Sequence, residues 1–176
     1  MKKLLIVVDY QNDFVDGALG TREAVSIIDN AVNVINSHNG AIFVTLDTHT
    51  DDYLNTKEGK NLPVLHCVKG SHGWQVYGRT AEALEAVEAK AIDKLVFGMD
   101  VTDPATAAVL PESADEIELV GLVSNICVVS NAVVLQSKYP EATILVDASC
   151  TDSFDKVLHE KVLDVLTGFQ VKVIGR

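Results

Sequence analysis

Cysteine is scarce: Cys67, Cys127 and Cys150 are the only three in 176 residues, with no C-x-x-C pair among them. An odd, widely spaced set excludes a disulfide framework, and the missing pair excludes a zinc knuckle or a dithiol redox motif. Free thiols fit a reducing compartment. Basic residues are also few, 14 Lys and Arg against 25 Asp and Glu, a net charge of −11 with no basic cluster. A phosphate backbone or an anionic bilayer would be repelled, so the sequence predicts neither a nucleic-acid nor a membrane partner. A small neutral substrate suits this charge better than a polyanion. No apolar run approaches the ~20 residues that span a bilayer. Lys2-Lys3 followed by Leu4–Val8 resembles a signal peptide only superficially, because Asp9 ends the short run without a cleavage site. It reads as a buried strand, and the expected location is cytoplasmic. The G-x-G-x-x-G and P-loop patterns are missing, as is the G-x-S-x-G elbow, which leaves no support for a dinucleotide site or a serine hydrolase of that type. Without repeats, low-complexity tracts or linkers, residues 1–176 are expected to form a single domain.

What is present is an alternation of strand and helix signals. Apolar, β-branched runs at Leu4–Val8, Ala41–Leu46, Ile92–Phe97, Glu116–Val123, Ala142–Val146 and Gln170–Ile174 read as strands. Between them lie helical patterns: Val25, Ile28, Val32 and Ile35; Thr80–Lys90; a start at Asp103-Pro104; Asn125–Lys138; and Ser153–Thr167, with Phe154, Val157, Leu158, Val162 and Val165 as its apolar stripe. Six strands interleaved with helices predict an α/β fold, a parallel sheet covered on both faces. Thr48 to Arg79 has no clear period, and a loop that long inside a domain is usually functional. It holds His49, His66 and His72, and the only tryptophan, Trp74.

Three residues stand where chemistry is done. Asp9 follows the first strand, and ligand crevices of open parallel sheets lie at strand carboxyl ends; the bland alternative is a turn or helix cap. Cys127 falls in the first turn of a helix that leaves the fourth strand. There the helix terminus lowers a thiol pKa and its free N–H groups can hold an oxyanion; the alternative is a core residue between Ile126 and Val128. Lys94 lies within the third apolar run, either solvated at a sheet edge or turned into the crevice to stabilise a thiolate. Cys67 and Cys150 read as inert buried thiols, and His38 and His72 as incidental. The long loop offers a second set, Asp47, His49 and His66, with Glu58 as a further oxygen donor. Aspartate and histidine suit zinc, manganese or iron, and solvated loop histidines are the alternative.

Asp9-Tyr10-Gln11-Asn12-Asp13-Phe14 resembles the D-x-Q-x-D-F opening of the isochorismatase-like cysteine hydrolases. Gly121-Leu122-Val123-Ser124-Asn125-Ile126-Cys127-Val128 resembles their nucleophile segment. Leu46-Asp47-Thr48-His49 and Leu65-His66-Cys67-Val68-Lys69-Gly70-Ser71-His72-Gly73 are similar to the metal motifs of the nicotinamidase branch, and Val146–Cys150 to the family's late strand–helix unit. The resemblance runs nearly end to end. It implies a three-layer, six-stranded parallel sheet in order 3-2-1-4-5-6, with strands one and four adjacent at the switch point. It implies a triad of Asp9, Lys94 and Cys127, a cis peptide at Val123-Ser124, and an oxyanion hole from N–H groups near Ser124 and Cys127. Asp47, His49 and His66 would hold a divalent metal, zinc before manganese or iron, with Glu58 a fourth ligand. Phe14, Trp74 and Phe97 would wall a flat ring. The implied activity is hydrolysis of nicotinamide to nicotinate and ammonia through a thioester, by a homo-oligomer. Its rivals are an amidase for a carbamoyl or ureido compound, an isochorismate vinyl-ether hydrolase, and a non-enzymatic metal-binding or thiol redox-sensing protein. The sequence departs from the resemblance at Thr48, where an aromatic often stands, and at Leu65, where a proline often does.

Overall fold

In the computed structural model, which describes residues 1–176, the fully apolar run after Lys3 becomes the centre of the molecule. Strand β1 (Lys3–Val8) is flanked by β2 (Ala41–Asp47) and β4 (Glu116–Leu122), both parallel to it. Outward from these lie β3 (Lys90–Lys94) on one side, then β5 (Thr143–Asp152) and β6 (Lys172–Ile174) on the other. The order is β3-β2-β1-β4-β5-β6, as the resemblance implied. Successive side chains of a strand point to opposite faces. Leu4, Ile6 and Val8 therefore enter one core while Leu5 and Val7 enter another. The first core is closed by α6 (Pro104–Val109), α7 (Val129–Lys138) and α8 (Lys156–Gly168), the second by α1 (Asn12–Val15), α2 (Arg22–Ser26), α3 (Ile28–Ser37) and α5 (Gly78–Ala86). Two covered faces explain why β1 is apolar at every position from Leu4 to Val8 rather than at alternate ones.

Local chemistry sets the element ends. Asp103 caps α6 by accepting from Thr106 N, with Pro104 at the first helical position. Thr21 caps α2 and Asp155 caps α8 in the same way. Gly121 lies in the left-handed region at φ 125°, and a Cβ there would stand 2.1 Å from the Val8 carbonyl oxygen. Only glycine lets β4 lie this close to β1 at the point where both strands end.

Four of the boundaries that move bear on the site. The third strand stops at Lys94, leaving Leu95–Phe97 outside the sheet at 72%, 58% and 45% exposure. The fifth strand runs on to Asp152, because a register shift between Leu119 and Gly121 lets it resume pairing as Gly121↔Thr151 and Leu122↔Asp152. The helix expected from Asn125 begins as a single π turn, Ser124–Val128, and becomes α7 only at Val129. Helix α8 starts at Lys156 and buries His159, Val162, Leu163 and Leu166, leaving Val157, Leu158 and Val165 exposed, as is Phe154 ahead of it. The apolar stripe read from the sequence mixed two faces, since a histidine held the buried position that an apolar residue was expected to mark.

Candidate active site and metal centre

The switch point between β1 and β4 opens a crevice at their carboxyl ends, where α/β sheets bind ligands. Asp9 leaves β1 with φ 50° and is completely buried. Thr45 Oγ1 donates to its Oδ1 at 2.7 Å, and Lys94 Nζ lies 2.8 Å from its Oδ2. Lys94 is the last residue of β3, paired in register with Asp47 at the end of β2. Its ammonium reaches Asp47 Oδ1 at 3.0 Å and Cys127 Sγ at 3.6 Å. Three strand ends and one turn thus bring Asp9, Lys94, Asp47 and Cys127 together. Lys94 is turned into the crevice and not solvated at the edge; its side chain is fully buried.

Burial governs the protonation of this group. It raises the Asp9 carboxyl, opposed by the Lys94 ammonium and aided by Asp47. Burial alone would lower Lys94, but the charges of Asp9, Cys127 and Asp47 outweigh it and hold the amine above its ordinary value. The Cys127 thiol is pushed well up, by burial first and the Asp9 carboxylate second. This reverses the expectation of a thiol lowered by a helix terminus: Cys127 sits inside the π turn, buried at the cavity wall, with the Asp9 carboxyl beside it. Burial thus raises both the Cys127 thiol and the Asp9 carboxyl beside it, the two groups between which a proton can pass. Cys67 and Cys150 are fully buried thiols, Cys150 pushed up to about 12, chiefly by burial.

The long loop supplies the second set. His49 N donates to Cys67 O and Lys69 N to His49 O, so the returning chain pairs with the end of β2 and brings His66 beside His49. Asp47 Oδ2 lies 3.0 Å from His49 Nε2 and 3.6 Å from His66 Nε2, and Glu58 Oε1 stands 3.8 Å from His49 Nε2. Glu58 is delivered by a short helix, α4 (Lys57–Asn61). Donor atoms of Asp47, His49, Glu58 and His66 all lie within 4.8 Å of one another. His66 Nδ1 is hydrogen-bonded to Val64 O, which leaves Nε2 facing the cluster. His49 Nε2 is buried without a hydrogen-bond partner. Two imidazoles and two carboxylates around an orphaned nitrogen are a donor set that fits zinc, manganese or iron. Burial would raise the Asp47 carboxyl, but the close approach of the His49 and His66 imidazoles and the Lys94 charge hold it below the usual carboxylate range.

The motif after Asp9 turns out to clamp this loop. Gln11 Oε1 accepts from Asp47 N at 2.7 Å, and its amide donates to Asp47 O and Trp74 O. Asn12 donates to His72 O, and Asp13 Oδ2 accepts from Cys67 N at 2.7 Å. His72 is thus engaged through its backbone only. None of these supporting roles was legible in the sequence, although the residues themselves belong to the quoted opening motif.

Both sets open on one cavity of about 1020 Å³. Phe14 and Phe97 line it, as expected, with Ile126 and Phe154, and Phe14 packs edge-on to His66. Trp74 does not line it: its indole N–H donates to Thr48 Oγ1 at 2.9 Å, and the ring packs on the core beneath α3 and α5. The expected ring wall therefore loses one member, because Thr48 supplies a hydrogen-bond acceptor that draws the indole away. Val123 lines the cavity beside Cys127. The cis peptide falls one bond earlier than expected, at Leu122–Val123 and not Val123–Ser124. The Ser124 side chain is buried away from the cavity against His159, a histidine that sequence reasoning passed over because it lies within an apolar helix pattern.

A family model described as the isochorismatase domain matches residues 3–176. The nicotinamidase/pyrazinamidase of Bacillus subtilis superposes with a TM-score of 0.84 at 25% identity, over 99% of this chain and 100% of that one. The pyrazinamidase/nicotinamidase of Streptococcus mutans gives 0.82 at 26%, over 98% and 100%. The pyrazinamidase of Pyrococcus horikoshii, solved in complex with zinc, gives 0.79 at 19%, over the whole of both chains. No individually curated protein gives a significant match.

Proposed function

The chain belongs to the isochorismatase family of hydrolases, and from that premise we propose that it hydrolyses nicotinamide to nicotinate and ammonia with Cys127 as nucleophile. The observation that carries the reading is the position of Lys94 Nζ, 2.8 Å from Asp9 and 3.6 Å from Cys127 Sγ, with Cys127 lining the same cavity as all four donors of the cluster. In the reaction, Asp9 takes the thiol proton as Sγ bonds to the amide carbonyl carbon. Lys94 balances the negative charge during the transfer. N–H groups of the Ser124–Cys127 turn hold the oxyanion of the tetrahedral adduct. The C–N bond then breaks, and the amide nitrogen leaves as ammonia with the proton from Asp9. Water attacks the remaining thioester, Asp9 accepts its proton, and Cys127 recovers a proton as nicotinate leaves.

Asp47, His49, His66 and Glu58 would hold a divalent metal, zinc first, supplying a Lewis-acidic anchor for the pyridine nitrogen of the substrate. Phe14 and Phe97 flank the space in which a flat ring would lie. The cavity lining offers one ammonium, Lys57, and no arginine, which favours a neutral substrate over a carboxylate-bearing one. Ammonia release from nicotinamide by the purified, zinc-loaded protein tests the reading. Release that disappears in Cys127→Ala and after chelation supports it. No release with the metal bound would contradict nicotinamide as substrate and turn the search to carbamoyl and ureido compounds.

A further inference from the structure

On the β5 side of the nucleophile lies a second buried polar group. Ser124 opens the π turn that carries Cys127 and is completely buried. Its Oγ lies 2.9 Å from Nδ1 of His159, which is 8% exposed on the inner face of α8. That same nitrogen stands 3.8 Å from Asp152 Oδ1 at the end of β5. Asp152 is fixed in turn, because its Oδ1 accepts from Ser153 N and its Oδ2 pairs with Lys156 Nζ. None of Ser124, Asp152 and His159 lines the cavity. A serine, a histidine and an aspartate buried together cost desolvation that an apolar trio would not, and such networks specify geometry when their members are satisfied.

Backbone bonds close the turn, with Ser124 O accepting from Val129 N. Val123 O accepts from Ile126 N and from Val128 N, both at 3.2 Å, long for amide bonds. The far side is tied by Asn131, whose amide donates to Cys127 O at 2.8 Å and whose Oδ1 accepts from Met99 N. The Ser124–His159 bond is the matching tie on the near side. The extended β5 and the late start of α8 are what put Asp152 and His159 within its reach.

We propose that His159, steadied by Asp152, is a positioning residue that acts through the Ser124 hydroxyl to hold the nucleophile turn, and so Cys127, in line for attack. The inference rests on the proposed role of Cys127 but not on the identity of the substrate. Small misplacements of reacting atoms cost up to about 100-fold in rate, so the effect belongs in kcat and not in substrate binding.

The test compares His159→Leu and Ser124→Ala with the conservative His159→Asn, which keeps a hydrogen-bonding atom near the Nδ1 position, and Ser124→Thr, which keeps the hydroxyl. Zinc-loaded proteins are assayed for ammonia release and for the rate at which iodoacetamide alkylates Cys127, with peptide mass mapping, below each variant's thermal midpoint. The expected result is a fall in kcat of about 10- to 100-fold for Leu and Ala, KM within about twofold of the wild type, slowed alkylation, and recovery of most of both rates in Asn and Thr. A folded His159→Leu that keeps wild-type kcat and alkylation while only its thermal midpoint drops would overturn the proposal. Should Ser124→Ala not fold, the His159 pair decides alone. If the wild type releases no ammonia, the nicotinamide reading fails while the alkylation rates still decide this one.

Discussion

The two walls of the crevice are built on different principles. On the β1–β2–β3 side, the groups that would do chemistry hold one another: Asp9, Lys94 and Asp47 form a continuous buried ion-pair chain that runs into His49 and His66. On the β4–β5 side, Cys127, the proposed nucleophile, is held by its backbone, a π turn tied at its two edges by Ser124–His159 and Asn131. The first wall is rigid because breaking any link strands a buried charge. The second depends on a few neutral hydrogen bonds, each worth about 1 kcal/mol. The difference separates electrostatics, which sets protonation on one wall, from placement, which sets the approach of sulfur on the other.

The sharpest way to break the first wall is Lys94→Ala. It leaves two buried carboxylates facing each other without a cation, and removing one partner of such a set costs about 3–5 kcal/mol. Urea denaturation should show that loss together with inactivity; a variant as stable as wild type would mean that the chain is not continuous in solution. Metal comes next. Zinc at about 100 times its Kd should stabilise the fold by about 2.7 kcal/mol, seen as a raised thermal midpoint, and His49→Ala should abolish the shift. An equal shift in both proteins would place the metal elsewhere.

Acid should then act on the first wall before the second. Asp9 must be ionised to accept the thiol proton and its pKa is raised, so kcat/KM should fall on the acid side with an inflection above the ordinary aspartate value. An acid limb at or below that value would contradict the burial of Asp9. Stability carries both signs. Folded Asp9 binds its proton more tightly than the unfolded chain does, so its contribution is full below the unfolded pKa and is lost as pH rises through the folded one. Asp47, held low, contributes above the unfolded value and loses that contribution as pH falls through its folded one. The smallest expected effect is that of Trp74→Phe, which removes one hydrogen bond to Thr48 for about 0.5–1.5 kcal/mol. It should leave KM for nicotinamide unchanged; a large rise in KM would return Trp74 to the substrate wall.

The same contrast marks what could be read without coordinates. Asp9, Asp47, His49, His66 and Glu58 were legible because each sits at a strand end or in the aperiodic loop, where a charged or ligating side chain has few other uses; Lys94, read inside the third apolar run, was singled out by the resemblance. The sheet order followed from the resemblance, and the six strands from apolar runs. What escaped notice depends on long-range register. Asp152 reaches the site only through a bulge in β5, and His159 only through the rotation of α8 about its axis. Gln11 works through main-chain groups 36 and 63 residues away. A histidine inside an apolar helix pattern carries no local sign of its partner. The depressed thiol expected at a helix terminus failed for a related reason, since burial and a neighbouring carboxylate are three-dimensional facts.

Rapid-quench mass spectrometry with nicotinamide, intact and after peptide digestion, decides whether Cys127 is the nucleophile. The expected result is a nicotinoyl adduct on the peptide containing Cys127, forming and decaying at rates compatible with turnover, and a loss of ammonia release of about 10⁴-fold or more in a folded Cys127→Ala. Ammonia release that persists in Cys127→Ala, with no adduct in the wild type, would contradict it.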